Sequence, residues 1–300
     1  MGAALMPAPP PSEQALRRLV VCVDDFGLKP AVNQAAIELA GAGVVTAISC
    51  MSEGPVWAEG ARDLAVCADR VDVGLHLNLS EAFDGQGLAR PDGQPAWRCG
   101  LGVLVLRAYA RQLKPAMIER EIASQLDAFE RHWGRAPDFI DGHQHVHQLP
   151  GVREPLLAQL AKRYPQRLPW LRHTGRSGPH AAPQRPWAFK PALIEALGAA
   201  SLQRQARSQG LRQNRSLLGV YGFDADHHAY TLMLQRWLEQ AQDADELMCH
   251  PATSVTFTGQ AVQTDPIASA REVEYRVLRD HGRRLMQAAG VQPVRLSLIY

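Results

Sequence analysis

The sequence predicts an α/β chain of (β/α)-barrel-like type: a single domain with seven or eight mostly parallel strands and outer helices. Three observations carry that expectation. Short runs of aliphatic and β-branched residues alternate with longer stretches of helical period, the mark of βα units around a parallel sheet. The chain has 300 residues, above ordinary single-domain size, yet barrels routinely reach about 250 residues as one unit. Several apolar runs end in acids or imidazoles, as happens where a barrel gathers strand ends around one site.

Taken in order, the first strand is expected at 19–24, Leu19-Val20-Val21-Cys22-Val23-Asp24. Pro30 suits the first turn of a helix running to about Gly41, where its missing N–H is not needed, and Gly27 to Lys29 then form a loop. Further strands are expected at 46–51, 71–77, 137–141, 168–172, 216–221, 245–250 and 294–299. The clearest helix is 116–133: Ile118, Ile122, Leu126, Phe129 and Trp133 recur at steps of three and four, and Gly134 with Pro137 supplies the stop. Ala82 to Cys99 and Thr174 to Pro186 read as long surface loops, and loops of that length act as lids or binding loops about as often as they are disordered. Met1 to Ser12 is rich in Ala and Pro and lacks a signal peptide's basic start and apolar core. Residues 1–12 are therefore expected to be a disordered tail, with one domain over 13–300.

Composition narrows the partners. A formal charge of +2 leaves no nucleic-acid footprint. No stretch approaches the roughly 20 apolar residues of a membrane span. The five cysteines, Cys22, Cys50, Cys67, Cys99 and Cys249, are odd in number and scattered, without a C-x-x-C pair, which fits reduced thiols in a cytoplasmic protein. Oligomeric state has no sequence signal, and a homodimer is left open.

The chemistry concentrates at strand ends. Asp24-Asp25 sets two carboxylates side by side, which a divalent cation would make tolerable. His76 closes Val71-Asp72-Val73-Gly74-Leu75-His76, Asp141-Gly142-His143-Gln144-His145-Val146-His147 follows a third run, and His250 ends a fourth. Neighbours on a strand point to opposite faces, so Asp24 and Asp25 reach one centre only if the strand is ending, and Gly27 permits that turn. In the His-rich segment an extended chain would align His143, His145 and His147, whereas a helical turn would pair His143 with His147. The sequence does not choose between them. His143, nearest the strand end, is the favoured ligand, with His145 or His147 near substrate or behind the ligands and Asp141 orienting an imidazole.

These motifs, in this order from about Arg18 to Ala252, resemble the YdjC-like carbohydrate deacetylases. The resemblance implies a barrel-like fold, one divalent metal ion, Mg2+ or Zn2+, and removal of an acetyl group from an N-acetylated amino sugar of an oligosaccharide or glycolipid. It further implies Asp25, His76 and His143 as metal ligands, Asp24 as general base and His250 as acid. Amide hydrolysis needs carbonyl polarisation, an activated water and a proton donor, which such a set can supply.

Other residues admit two readings each. Arg172 is as suited to pairing with Asp24 as to a surface or structural salt bridge. Asn78 and Glu81 could touch sugar hydroxyls or cap a turn. Trp97, Trp170 and Trp187 are sugar-stacking candidates or core. Cys249, beside His250, reads as apolar filler rather than a nucleophile. A phosphoesterase, or a silent sugar-binding protein of the same fold, is the alternative function. Glu53, where an amide would be more usual, and the long 82–99 insertion depart from the family pattern.

Overall fold

In the computed structural model, residues 16–83, 97–176, 189–254 and 265–299 are described. The expected tail at 1–12, Trp187 and most of the two long loops lie outside them. Among the described residues eight strands form one all-parallel sheet: β1 (Arg17–Phe26), β2 (Ala47–Cys50), β3 (Asp72–Leu77), β4 (Phe139–Gly142), β5 (Trp170–Leu171), β6 (Leu217–Leu218), β7 (Asp245–Cys249) and β8 (Val291–Pro293). Seven run in the order β5-β4-β3-β2-β1-β7-β6, and β8 pairs with the first residues of β1, Arg17 to Leu19. The described α-helices are α1 (Pro30–Gly41), α2 (Trp57–Leu64), α3 (Leu101–Tyr109), α4 (Pro115–Trp133), α5 (Arg153–Arg163), α6 (Lys190–Ala196), α7 (Ala199–Ser208), α8 (His227–Gln240) and α9 (Ala268–Ala288). Among the described residues no helix is long and apolar enough to cross a membrane.

Alternation along β1 divides the core. Leu19, Val21 and Val23 join a large cluster with helical residues such as Leu39, Leu278 and Leu234. Val20 and Cys22 join Ala47, Phe139, Trp170, Ala244 and Leu296 in a smaller one. The smaller cluster is the barrel interior, where successive Cβ atoms of a strand take opposite sides. Trp170 stacks on Phe139 with centroids 4.2 Å apart and donates Nε1–H to Asp72. It is thus core, and the sugar-stacking reading of Trp170 falls. Trp97 packs against the larger cluster.

Two expected strands differ. The eighth lies at 291–293 rather than 294–299, where Leu296–Leu298 is a 3-10 turn. The alternating Val294-Arg295-Leu296-Ser297-Leu298 pattern is overridden because Ser297 donates its N–H and Oγ–H to Asp72, which curls the chain and sends Leu296 into the interior. β6 stops at Leu218 because Gly219 takes φ +90° with its backbone against β7; a Cβ there would meet Met248 O at 2.1 Å.

Among the described residues β5 and β6 do not pair. Residues 212–217 bridge them instead: Leu171 N–H donates to Arg212 O at 2.9 Å and Leu217 N–H to Gly175 O at 2.8 Å. Between these, the Asn214 side chain acts as a strand peptide would. Its Oδ1 accepts His173 N–H at 2.6 Å and its Nδ2 donates to His173 O and Ser216 O at 2.9 Å.

Candidate metal and catalytic site

Adjacent carboxylates reach one cavity through a backbone irregularity. The β1–β2 register shifts between Val23 and Phe26, and Asp25 adopts φ 68°, a left-handed conformation unusual for a residue with a Cβ. Gly27 then turns at φ +95° under Met51 O, and its N–H is accepted by Asn33 Oδ1 at 2.6 Å. Asp24 stays on the interior face of the strand while Asp25 is rotated toward β3 and β4.

Asp25, His76 and His143 form a compact group whose donor atoms lie within 4.8 Å of one another. Asp25 Oδ1 is 3.3 Å from His76 Nε2 and 3.1 Å from His143 Nδ1. The remaining Asp25 oxygen accepts from Arg271 on α9 at 2.6 Å, and Glu81 Oε2 is 2.8 Å from His143 Nε2. His76 Nδ1 lies 2.7 Å from Asp141 Oδ1, and Ser49 Oγ–H donates to that same oxygen at 2.5 Å. One carboxylate and two imidazoles, one of them oriented by a buried acid, suit a single transition-metal ion. Burial opposes a charge on His76, yet Asp141 and Asp24 outweigh it and hold the imidazole up at about 10. A proton on His76 therefore supplies the positive charge that a metal ion would replace.

Below this group Arg172 is fully buried among acids. It forks onto Asp24 through NH1 and NH2, both at 2.7 Å, donates Nε–H to Glu246 at 2.8 Å, and carries NH2 2.7 Å from Asp141 Oδ2. Burial pushes the Asp24 carboxyl up, but the guanidinium prevails and holds it well below the usual carboxylate range. Glu246 keeps the burial effect and sits at about 7. Cys22, Asp24 and Asp141 also gather closely enough for a metal, but the Arg172 cation already satisfies the carboxylates there.

His250, just past β7, has Nε2 4.0 Å from Asp24 Oδ2. Its backbone N–H donates to Glu274 on α9 at 2.5 Å, and Tyr221 OH donates to the other Glu274 oxygen at 2.7 Å. Burial pushes the His250 imidazole down to about 4 although Asp25 and Asp24 pull the other way.

The cavity above these groups, about 470 Å³, is lined by Asp24, Asp25, His76, His143, His145 and His250 together with Glu81, Arg271 and an apolar wall. The His-rich segment is neither extended nor a plain helix: Gly142 leads into a 3-10 turn in which Gln144 and His145 are left-handed. That turn sends His143 to Asp25 and His145 to the cavity, while His147 turns inward to Arg172 O at 3.1 Å. His147 is fully buried and does not line the cavity, so direct substrate contact by His147 falls. So does contact by Asn78, whose side chain is spent on its own turn: Oδ1 accepts Ser80 and Glu81 N–H, and Nδ2 donates to Glu81 O.

Arg271, Glu246, Glu274 and Ser49 were not singled out from sequence. Glu246 carried a readable signal, a charged residue inside a buried apolar strand, which requires a partner. Arg271 carried none, since a helical arginine more than two hundred residues from its carboxylate looks like any solvated position. Glu53 is paired with Arg98, and Arg98 also reaches Glu121 at 2.9 Å. The five cysteines are unpaired, and Cys249 is buried with Sγ against Cys22 O.

A family profile described as "YdjC-like protein" matches residues 18–288. A protein named carbohydrate deacetylase from Homo sapiens is 33% identical over 259 residues, covering 81% of this chain and 77% of its own. Its Mus musculus counterpart is 32% identical over 78% and 77%. A chitooligosaccharide deacetylase of Yersinia pestis (strain Pestoides F) is 27% identical over 87% and 90%. Among solved structures, a putative cellobiose-phosphate cleavage protein from Enterococcus faecalis V583 shares the fold at TM-score 0.62 and 20% identity, covering 95% of this chain and 99% of that one. With nearly the whole described chain inside the family match, the protein belongs to the YdjC-like family.

Proposed function

We propose that the protein is a metal-dependent hydrolase that removes the acetyl group from an N-acetylated amino sugar. The observation that carries the reading is Asp25 Oδ1 in reach of both His76 Nε2 and His143 Nδ1, with a second carboxylate, Asp24, next to it but held apart by Arg172. Relatives about one-third identical over most of both chains bear the name carbohydrate deacetylase, which supports the same reaction.

Asp25, His76 and His143 are the residues that would hold the ion. When bound, a divalent ion there supplies Lewis acidity for the acetyl carbonyl and lowers the pKa of water beside it. Nitrogen-rich ligation favours Zn2+ over Mg2+. Asp24, kept ionised by Arg172, takes the proton of the attacking water. His250 enters neutral, so it protonates the departing amine only after receiving a proton; its Nε2 stands 4.0 Å from Asp24 Oδ2 and must close to hydrogen-bond distance for Asp24 to pass that proton on. Asp141 fixes the His76 ring, and His145 and Arg271 face the substrate from the cavity wall. The five unpaired cysteines support a cytoplasmic location.

A two-metal phosphoesterase is disfavoured because, among the described residues, the only other candidate ligand group is satisfied by Arg172. The test is mass-spectrometric detection of acetyl loss across a panel of N-acetylated sugars, with metal analysis of the same protein. The expected result is turnover abolished by chelator, restored by Zn2+, and about one ion per chain. Two ions per chain, or tight sugar binding without hydrolysis on the whole panel, would overturn it.

A further inference from the structure

We propose that Glu274 is a positioning residue for His250: with Arg271, one turn earlier on α9, it clamps the His250 peptide so that only the imidazole turns between Asp24 and the departing amine. The proposal rests on the acid role given to His250 above and deepens it.

The His250 ring has no partner of the kind that Asp141 gives His76. Among the described residues its Nδ1 is buried without a hydrogen bond, and its Nε2 is 4.0 Å from Asp24 Oδ2. The Phe223 ring meets it edge-on with centroids 5.2 Å apart, which limits tilt but supplies no directional bond. Orientation of the imidazole therefore comes through its backbone.

That backbone is gripped on both sides. The His250 N–H donates to Glu274, its C=O accepts from Arg271 NH1 at 3.4 Å, and Ala252 N–H donates to Arg271 O at 3.1 Å. Pro251 adds a restraint, since the residue before a proline is confined to extended backbone. Arg271 and Glu274 are three apart and so share one face of α9. Glu274 is fully buried there, and a buried acid is costly unless its oxygens are paired. Both are: one accepts from Tyr221 OH at 2.7 Å, the other from His250 N–H.

A fixed peptide leaves the side-chain torsions of His250 free to carry Nε2 across the gap. Asp24 Oδ2 passes to Nε2 the proton it took from water, and Nε2 passes it to the amine nitrogen as the C–N bond breaks. Both side chains end as they began. An ester of an acidic phenol needs no such donor, because its oxygen leaves as the anion.

The test compares two probes on the full-length zinc-loaded protein, counting only the turnover that chelator abolishes. One is methyl N-acetyl-β-glucosaminide, whose amine leaves protonated; the other is p-nitrophenyl acetate, whose phenolate does not. His250→Ala should lower the ratio of amide to ester kcat by about 10²–10⁴. Glu274→Gln keeps one acceptor but not the pair, and should lower that ratio on the order of a hundredfold, the effect of a displaced catalytic group. Its KM for the amide and its zinc content should stay at the parent level, and its His250 amide should exchange hydrogen faster relative to those of β1. The double variant should fall no further than His250→Ala alone. Equal losses on amide and ester, or losses that multiply in the double variant, would overturn the proposal and make Glu274 a general core contact. Glu274→Asp keeps the charge and shortens the reach; it should show the same selective loss, and it decides the matter if Glu274→Gln does not fold. A parent ratio in His250→Ala would instead strike the acid role of His250, and this proposal with it, whereas no turnover of the glycoside by the parent protein would strike the deacetylase reading.

Discussion

Arg172 holds both oxygens of Asp24 at 2.7 Å from inside the barrel while its Nε–H is on Glu246 at 2.8 Å. The acid beside the candidate metal ligands is therefore ionised and fixed by an interior charge layer. That layer separates the apolar floor of Val20, Phe139, Trp170 and Leu296 from the cavity. One guanidinium serves Asp24, Asp141 and Glu246 together, so a change at Arg172 reaches stability and chemistry at once.

Replacing Arg172 by Met should leave those carboxylates buried without a partner. Breaking a buried ion pair on one side costs about 3–5 kcal/mol, and denaturant unfolding should register a loss of that order. Arg172→Lys keeps the charge but not the fork, so it should retain more stability while still lowering kcat, because Asp24 is no longer held through both oxygens. Equal stability of Arg172→Met and the parent protein would contradict the interior charge layer.

Asp24→Asn separates the proton acceptor from the ion. Asn keeps the shape and one acceptor for Arg172, but cannot take a proton from water. Turnover should fall by about 10²–10⁴, while metal content measured by elemental analysis stays at the parent level. If the variant instead loses its metal, Asp24 is a ligand and the division of labour between the two aspartates is wrong.

The sequence carried much of this fold and site, and its gaps have physical causes. The helix at 116–133 was legible because its apolar stripe and its Gly134 and Pro137 stop are local, and it appears as Pro115–Trp133. Strand ends bearing Asp25, His76 and His143 were legible because each closes an apolar run. Illegible were features made by distant partners: the Ser297–Asp72 contact that bends the expected last strand, and Arg271 arriving on Asp25 from α9. The His-rich turn was undecidable because left-handed Gln144 and His145 obey neither strand nor helix periodicity.

His147 should make the fold acid-sensitive. Burial pushes its imidazole down to about 4 from an ordinary value near 6.5, with Nε2–H on Arg172 O. The folded state thus prefers the neutral ring, and the stabilisation is fully present above pH 6.5 and lost as pH falls through about 4. His147→Gln keeps a donor for Arg172 O without the titration. The decline in unfolding free energy between pH 6.5 and 4 should become shallower by up to about 3 kcal/mol. His250 shifts the same way, so a residual slope should remain. An unchanged slope would mean that His147 is already charged in the folded protein.

Asn214 should be worth far more to the fold than an ordinary loop asparagine. It is buried in the gap between β5 and β6, and its amide pairs with His173 N–H, His173 O and Ser216 O. Asn214→Ala strands these backbone groups, and each buried polar group left unpaired costs about 1–3 kcal/mol. Water entering the gap would recover part of that, so a net loss of about 2–4 kcal/mol is expected in denaturant unfolding. Asp in the same position accepts from His173 N–H but cannot donate, and its charge would face two carbonyl oxygens, so it should rescue little. Native-state hydrogen exchange locates the effect: the amides of Leu171 and Leu217, which close the ring on either side of Asn214, should exchange faster in Asn214→Ala, while those of β1 and β2 keep their protection relative to global unfolding. Uniform loss of protection across the sheet would show that the ring opens only with the whole domain, and Asn214 would then be a general core contact rather than the clasp between β5 and β6.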